Sequence, residues 1–412
     1  MNILYFGTVC ETKRYEQILK TCKHRPTVAT VVFETALLEG LFKNEAEVEV
    51  HSFPMIPTFP KSKLLRFGGD TERLPCGYNC RWLKTWNIPF LKQWSRRADA
   101  RRVLKRWCKD HAGEGVLLSY SIPPFMSGEM VRLGKKYQIK TVAIVPDLPA
   151  NMYQNHKGNP LIDAIKHLYL RGALQNQGRF DGYVYLTEAM AEVVAPRKPY
   201  MVMEGILNCS EGCHQEPVSA KKRAIMYAGR LHEKYGVMAL VDAFERLELK
   251  DVELWLFGDG SAVADIQDRA SRDQRIRYFG RVSREEILQK EKEAALLVNP
   301  RGVKDTYTRY SFPSKTIEYM ASGTPLLTTR LEGIPKEYFD YVFSVDDNNV
   351  IEIKEALESI LSMSEEELSS KGERAREFVM EHKNAKSQAA RIIDFLQKLV
   401  GGNHSVDDKE RI

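Results

Sequence analysis

The chain has 412 residues, more than one hydrophobic core usually organises, so two domains of roughly 150–200 residues are expected. Its 43% hydrophobic and 28% charged residues suit a soluble globular protein, and the seven scattered cysteines read as reduced thiols rather than a disulfide framework. No run approaches the ~20 apolar residues that would span a bilayer, and MNILYFGTVCETKRYEQ lacks a secretory cleavage signal, so a cytoplasmic chain with at most peripheral membrane contact is expected.

In chain order, MNILYFG predicts a short strand ending at Gly7, and a helical period runs over about residues 27–41. EVEVHSF, GVLLSY, KTVAIVPD and DGYVYLT predict further strands with helices between them, the pattern of a parallel sheet covered on both faces. Residues 81–110 hold ten Lys/Arg against two Asp, a local +8 in a chain of net +6, together with Trp82, Trp86, Trp94 and Trp107. Basic residues interleaved with tryptophan suit an interfacial helix on anionic lipid, which makes Trp82, Trp86, Arg96, Arg97, Arg101 and Arg102 candidate membrane contacts. A solvated helix that packs its tryptophans into a core fits the same pattern. No nucleic-acid-binding motif is present. CGYNC and CSEGCH have a C-x3-C spacing outside the usual zinc-knuckle pattern, so no metal site is expected.

The polar stretch NCSEGCHQEPVSAKKR places a domain boundary, with a linker at 208–220 between domains at 1–207 and 221–385. Beyond it RAIMYAGR, VELWLFGDG, IRYFGRV, ALLVNPR, TPLLTTR and YVFSV predict strands that alternate with helices such as GVMALVDAFERLE, a second doubly wound unit. Ligands of such sheets bind outside the carboxyl ends of the strands, where this sequence puts Gly229, Arg230, Gly258, Gly280, Arg281 and Asn299. FPSKTIEYMASG predicts a helix opening at Pro313 and closing at Gly323, and Glu318 is the only acid between Asp305 and Glu332. A helix start binds anions, and a carboxylate one turn further in suits hydroxyl groups attached to that anion, as in a sugar nucleotide. Two amphipathic helices follow, and the tail at 401–412 is expected to be disordered.

With these residues in place, the second half resembles the donor domain of the retaining family 4 glycosyltransferases, whose GT-B fold is two Rossmann-like doubly wound parallel-sheet domains facing a crevice. The resemblance is carried by YAGRLHEKYGV, LFGDGS, YFGRVSREEI and FPSKTIEYMASGTPLL in the family's order and spacing, strongest over residues 226–329. It implies diphosphate binding by Arg230 and Lys234, close approach of the nucleotide at Gly229 and Gly258, a nucleobase contact at Gly280, Arg281 and Val282, and ribose binding by Glu318. Two departures stand out. The family's lysine directly precedes the glycine, where this chain has Tyr235, and the first acid of its Glu-x7-Glu pair is replaced by Tyr310. Tyr310 itself, with Tyr307, Arg309, Ser311, Ser314 and Lys315, is then a candidate for the missing donor contacts. In the first half the resemblance assigns acceptor binding to Gly7, Thr8 and Asp147; Asp147 either orients and deprotonates the acceptor hydroxyl or caps the turn before the next proline. The helix at 386–400 is expected to return to the N-terminal domain.

The expected reaction is transfer of a sugar from a nucleotide-diphosphate sugar, a UDP-sugar above all, to a hydroxyl acceptor with retention and without a metal or other cofactor. The basic tryptophan-rich stretch points to a lipid-linked glycan of bacterial surface polysaccharide synthesis as acceptor, met on the inner face of the plasma membrane. A nucleotide-binding homologue without turnover and a nucleotide-sugar epimerase on the same architecture are the competing readings.

Overall fold

The computed structural model describes residues 1–23, 29–148, 170–207, 221–303 and 306–402. The expected linker at 208–220, with Cys209 and Cys213, and the tail from 403 onward lie outside the described residues. The chain divides into two compact units, Met1–Ile206 with Ala385–Ile412, and Leu207–Asn384.

The first unit is built on β1 (Asn2–Gly7), β2 (Glu47–Ser52), β3 (Arg66–Phe67), β4 (Thr71–Arg73), β5 (Asn79–Trp82), β6 (Thr85–Trp86), β7 (Val116–Tyr120), β8 (Lys140–Val145), β9 (Gly182–Tyr185) and β10 (Tyr200–Val202). Eight of these form one sheet in the order β10-β9-β8-β7-β1-β2-β5-β4, and β3 pairs with β6 separately. All neighbours in the large sheet are parallel except β4 and β5. β7, β8 and β9 are apolar along almost their whole length because helices cover both faces. One cover is the helix Ala29–Lys43, against which the final helix Ala385–Val400 packs. The approach is close: a Cβ on Gly40 would stand 2.0 Å from the Ala385 carbonyl oxygen, and Asn44 Nδ2 donates to the Lys386 carbonyl at 2.9 Å. Ile392, Leu396 and Leu399 thereby join the core of the first unit.

The tryptophan-rich stretch is not one interfacial helix. Trp82 ends β5 fully buried, its indole N–H donates to Glu72 at 2.7 Å, and the Arg14 guanidinium lies 3.8 Å over its ring. Arg96 is buried as well and donates to the Pro54 carbonyl at 2.8 Å. Both are structural, so Trp82 and Arg96 are withdrawn as membrane contacts: a strand side chain facing a sheet core and a guanidinium spent on a backbone carbonyl have nothing to offer lipid. Trp86, Arg97, Arg101 and Arg102 are exposed, the arginines pairing with Glu129 or Asp99.

The second unit contains β11 (Lys222–Arg230), β12 (Glu253–Asp259), β13 (Ile276–Gly280), β14 (Ala294–Asn299), β15 (Leu326–Thr329) and β16 (Phe343–Val345). They form a parallel sheet in the order β13-β12-β11-β14-β15-β16. One core lies under the helices Val237–Glu245 and Val350–Leu361, the other under Lys315–Ala321 and Glu365–His382. Strand order reverses between β11 and β14. In an open α/β sheet that reversal is where neighbouring connections leave in opposite directions and a ligand crevice opens.

Candidate functional site

The polar edge of the second unit is set by how closely the ends of β11 and β12 approach. Gly229 lies opposite Gly258 and Arg230 opposite Asp259. Gly258 has φ +127°, and a Cβ there would stand 1.8 Å from the Gly229 carbonyl oxygen, so no other residue fits. The Leu231 N–H continues the ladder to the Asp259 carbonyl at 3.0 Å. Arg230 is held by its backbone, whose carbonyl accepts the Tyr227 hydroxyl at 3.1 Å, while its guanidinium is exposed with no ion-pair partner among the described residues. Gly280 ends β13 with φ +71°, Arg281 pairs with Asp259 at 3.0 Å, and Val282 packs on the core.

Lys234 sits exposed in the one-turn helix Glu233–Tyr235. Its ammonium lies 5.1 Å from the Tyr235 ring, and the Arg301 guanidinium lies 5.2 Å from the same ring. The tyrosine that stands where the resemblance expects lysine therefore gathers two cations at the end of β14. Gly236, φ +77°, locks this turn, since a Cβ would lie 1.7 Å from the Pro300 carbonyl oxygen.

The predicted carboxylate helix is shorter than expected, Lys315–Ala321 with Ser314 as its cap. Pro313 contributes a carbonyl that accepts the Thr316 N–H at 2.8 Å, and Gly323, φ +76°, lies just beyond the end. The helix is fastened to the switch point by a residue the sequence did not single out. Pairing between β11 and β14 stops at Met226 and Leu297, and the next residue of β11 facing that side is Ala228. Its N–H and C=O, left by the diverging strands, are taken by the Tyr319 hydroxyl, at 2.9 and 3.1 Å. Glu318 is thus carried on a helix tied to β11 two residues before Arg230.

The Glu318 side chain is 20% exposed. Burial alone would raise its pKa, but the contacting Lys315 ammonium and then Arg284, at 3.4 Å, outweigh it and hold the carboxyl below its usual range. Arg284 and the buried Glu291 behind this cluster are further participants that sequence reading missed, because both lie in a charge-rich run that reads as a solvated helix face. Tyr310 ends the short turn Thr306–Tyr310, half-buried with the Arg309 guanidinium 5.8 Å from its ring, and Arg309 pairs with Glu332 at 2.9 Å. Ser311 is half-buried and Ser314 exposed.

The candidates of the first unit gather on its own sheet edge. Gly7 and Thr8 close β1, and the carboxylate of Glu34 is buried beneath them. It accepts the Thr8 N–H at 2.9 and 2.8 Å, the Thr8 hydroxyl, and the Tyr5 hydroxyl at 2.6 Å. A Cβ on Gly7 would stand 1.8 Å from Glu34 Oε2. Thr8 therefore spends its amide and hydroxyl inward, a consequence of Glu34 that the sequence did not signal. Asp147 is exposed two residues past the end of β8. Among the described residues no three His, Cys, Asp or Glu side chains are grouped to hold a metal ion.

Residues 222–363 match the family model described as Glycosyl transferases group 1. The whole fold is that of GT-B glycosyltransferases. It is similar to sucrose-phosphate synthase from Thermosynechococcus elongatus, with a TM-score of 0.63 and 14% identity over 98% of this chain and 100% of that one. It is also similar to Anabaena HepE solved in complex with UDP, with a TM-score of 0.63 and 13% identity over 97% and 100%. The lipopolysaccharide outer core galactosyltransferase WaaB matches with a TM-score of 0.56 and 13% identity over 98% and 100%. No curated protein matches the chain at the sequence level.

Proposed function

We propose that this chain transfers a glycosyl group from a UDP-sugar to the hydroxyl of a lipid-linked glycan, with retention of anomeric configuration and without a metal. The observation that carries the reading is the juxtaposition of Arg230 at the end of β11, exposed and without an ion-pair partner among the described residues, with an ionised Glu318 on a helix tied to the same strand end. A guanidinium and a carboxylate held this way match, respectively, the diphosphate and the ribose hydroxyls of one nucleotide. In such a transfer the barrier is departure of the diphosphate from an oxocarbenium-like sugar. Arg230, with Lys234 and Arg301 gathered around Tyr235, would stabilise the charge that builds on the leaving group. Retention would follow from attack on the face the diphosphate leaves, with a departing phosphate oxygen accepting the acceptor proton. Gly7, Thr8 and Asp147 on the first unit would meet the acceptor, with Glu34 fixing the loop from beneath. The UDP-bound relative supports the choice of base.

The test is thermal stabilisation by UDP, GDP, ADP, CMP and dTDP, with and without EDTA, on the wild type and on Glu318→Ala. A ligand bound at 100 times its Kd stabilises the native state by about 2.7 kcal/mol. UDP is expected to raise Tm of the wild type in EDTA and to do so much less in Glu318→Ala. Absence of any shift, or an equal shift in the variant, refutes the donor site. Turnover of the donor then separates a transferase from a nucleotide-binding homologue that has lost it.

The lipid acceptor is supported by a surface on the first unit. Met55, Phe59, Leu65, Trp86, Phe90, Leu91 and Trp94 are all exposed, Phe90 by 71% and Trp94 by 67%. Their segments are bonded together: the Phe59 N–H donates to the Asn87 carbonyl, the Asn87 N–H to that of Leu65, and the Trp86 N–H to Ser95 Oγ. Phe90 holds φ +65°, a costly conformation for an aromatic residue, and so presents its ring at the start of the helix Leu91–Asp110. Exposed aromatics with Arg97, Arg101 and Arg102 nearby along the same helix fit the interface of an anionic bilayer, where each basic residue adds about 1 kcal/mol. No helix among the described residues is long and apolar enough to cross a membrane. Sedimentation with phosphatidylglycerol vesicles should capture the wild type and release Trp86→Ser/Phe90→Ser/Trp94→Ser; equal capture of both, or of neither, ends the membrane reading.

A further inference from the structure

The Glu318 cluster contains a charge problem that the donor reading does not use. Glu291, on the helix Arg284–Glu293, is completely buried, and among the described residues neither carboxylate oxygen has a hydrogen-bond donor. Lys315 Nζ, on the facing helix, stands 3.8 Å from Oε1, beyond hydrogen-bond distance, because that ammonium is committed to Glu318. The other groups acting on it are the Glu318 carboxylate, Arg284 on its own helix, and the Tyr319 phenol, whose hydroxyl is occupied by Ala228. Lys221 Nζ, near the Glu291 backbone through the Thr324 hydroxyl that donates to its carbonyl, goes to the Ala294 carbonyl at 3.1 Å and that hydroxyl at 2.6 Å.

A buried carboxylate without a donor and beside a second carboxylate is among the costliest arrangements a protein can hold. Two carboxylates gathered on one ammonium cannot both ionise readily, and one proton between them turns two acceptors into a donor and an acceptor. Which one keeps the proton follows from the surroundings. Glu318 has the ammonium in contact and the guanidinium at 3.4 Å, whereas the ammonium stands 3.8 Å from Glu291 and neither Glu291 oxygen is hydrogen-bonded among the described residues. Burial, and then the charge of Glu318, push the Glu291 carboxyl well above the usual carboxylate range.

We propose that Glu291 is a positioning residue for Glu318, donating its carboxylic O–H to the Glu318 carboxylate and so fixing it as the anionic acceptor for the ribose hydroxyls of the nucleotide. The inference rests on the donor reading given above. It adds a pH dependence to that reading. Nucleotide affinity is full while Glu291 keeps its proton, and falls as pH rises through the titration of the pair, when a second negative charge appears behind Glu318.

Two measurements test it on the full chain. The first is the infrared carbonyl stretch of a protonated carboxylic acid at pH 8, taken as the difference between wild type and Glu291→Gln. A band present in the wild type and lost in the variant is expected; its absence overturns the proposal without any ligand. The second is the Kd for UDP from pH 6 to 9.5. The wild type should weaken at the alkaline end. Glu291→Gln, whose amide N–H replaces the O–H, should bind within about threefold of wild type at pH 7 and lose the alkaline limb. Glu291→Ala should bind about tenfold more weakly, the order expected when one hydrogen bond to a charged acceptor is lost. An alkaline limb unchanged in Glu291→Gln overturns the proposal and leaves the donor site standing. UDP binding that is equal in wild type and Glu318→Ala, or absent from both, overturns the donor site itself and the positioning role with it.

Discussion

The buried Glu34 gives the first unit a pH dependence of stability that can be worked out from its surroundings. Burial raises its pKa from 4.5 to about 7, and the hydrogen bonds from Thr8 and Tyr5 only partly offset that rise. In the unfolded chain the group titrates near 4.5. Between pH 4.5 and 7 the folded protein therefore holds a proton that the unfolded chain has released, and folding stability falls as pH rises through that window. At ~1.4 kcal/mol per pH unit the loss is about 3 kcal/mol, complete above pH 7 and absent below pH 4.5. Glu34→Gln removes the titration while keeping the contacts: the amide oxygen accepts from Thr8, and the amide N–H donates to the Tyr5 oxygen. Trp82, Trp86, Trp94 and Trp107 all belong to the first unit and only Trp255 to the second, so tryptophan fluorescence in urea reports chiefly the unfolding of the first. The stability of the wild type minus that of Glu34→Gln should fall by about 3 kcal/mol from pH 4.5 to 7.5, with the other titrating groups cancelling in the difference. A difference that stays constant within ~0.5 kcal/mol over that range, or that rises, refutes the reasoning.

Two further outcomes follow from the second unit. Arg230→Ala should lower kcat/KM for donor turnover by about 10²–10³, and Arg230→Lys by less, since the ammonium keeps the charge but not the planar fork; steady-state kinetics at saturating acceptor check this, and unchanged turnover removes Arg230 from the site. Tyr319→Phe strands the buried N–H and C=O of Ala228, so a loss of about 1–3 kcal/mol is expected, read as faster hydrogen exchange at the Ala228 amide together with weaker UDP binding.

What the sequence made legible, and what it hid, separates along a physical line. Strands β7, β8, β11, β12 and β14 announce themselves because burial on both faces demands an unbroken apolar run, and β11 and β12 are closed by a glycine and a charged residue, Gly229-Arg230 and Gly258-Asp259. Glu318 was legible for a related reason: the one acid in a helix that otherwise carries only Lys315 has to be explained. The short pieces β3, β4, β5 and β6 were invisible because two to four residues are too few to establish a period. Trp82 and Trp94 therefore read alike, although one ends a buried strand and the other stands in solvent. Glu34 and Glu291 were hidden differently. Each lies in a helix whose period places it correctly, and neither carries a mark to tell a buried carboxylate from a solvated one. That distinction is made by the partner, Thr8 and Tyr5 for Glu34 and Glu318 for Glu291, which arrives from elsewhere in the chain. A carboxylate that anchors a loop or steadies another carboxylate is therefore found only once the fold has brought its partner to it. Glu34 and Glu291 are such groups, each lying beneath a residue that the sequence did nominate.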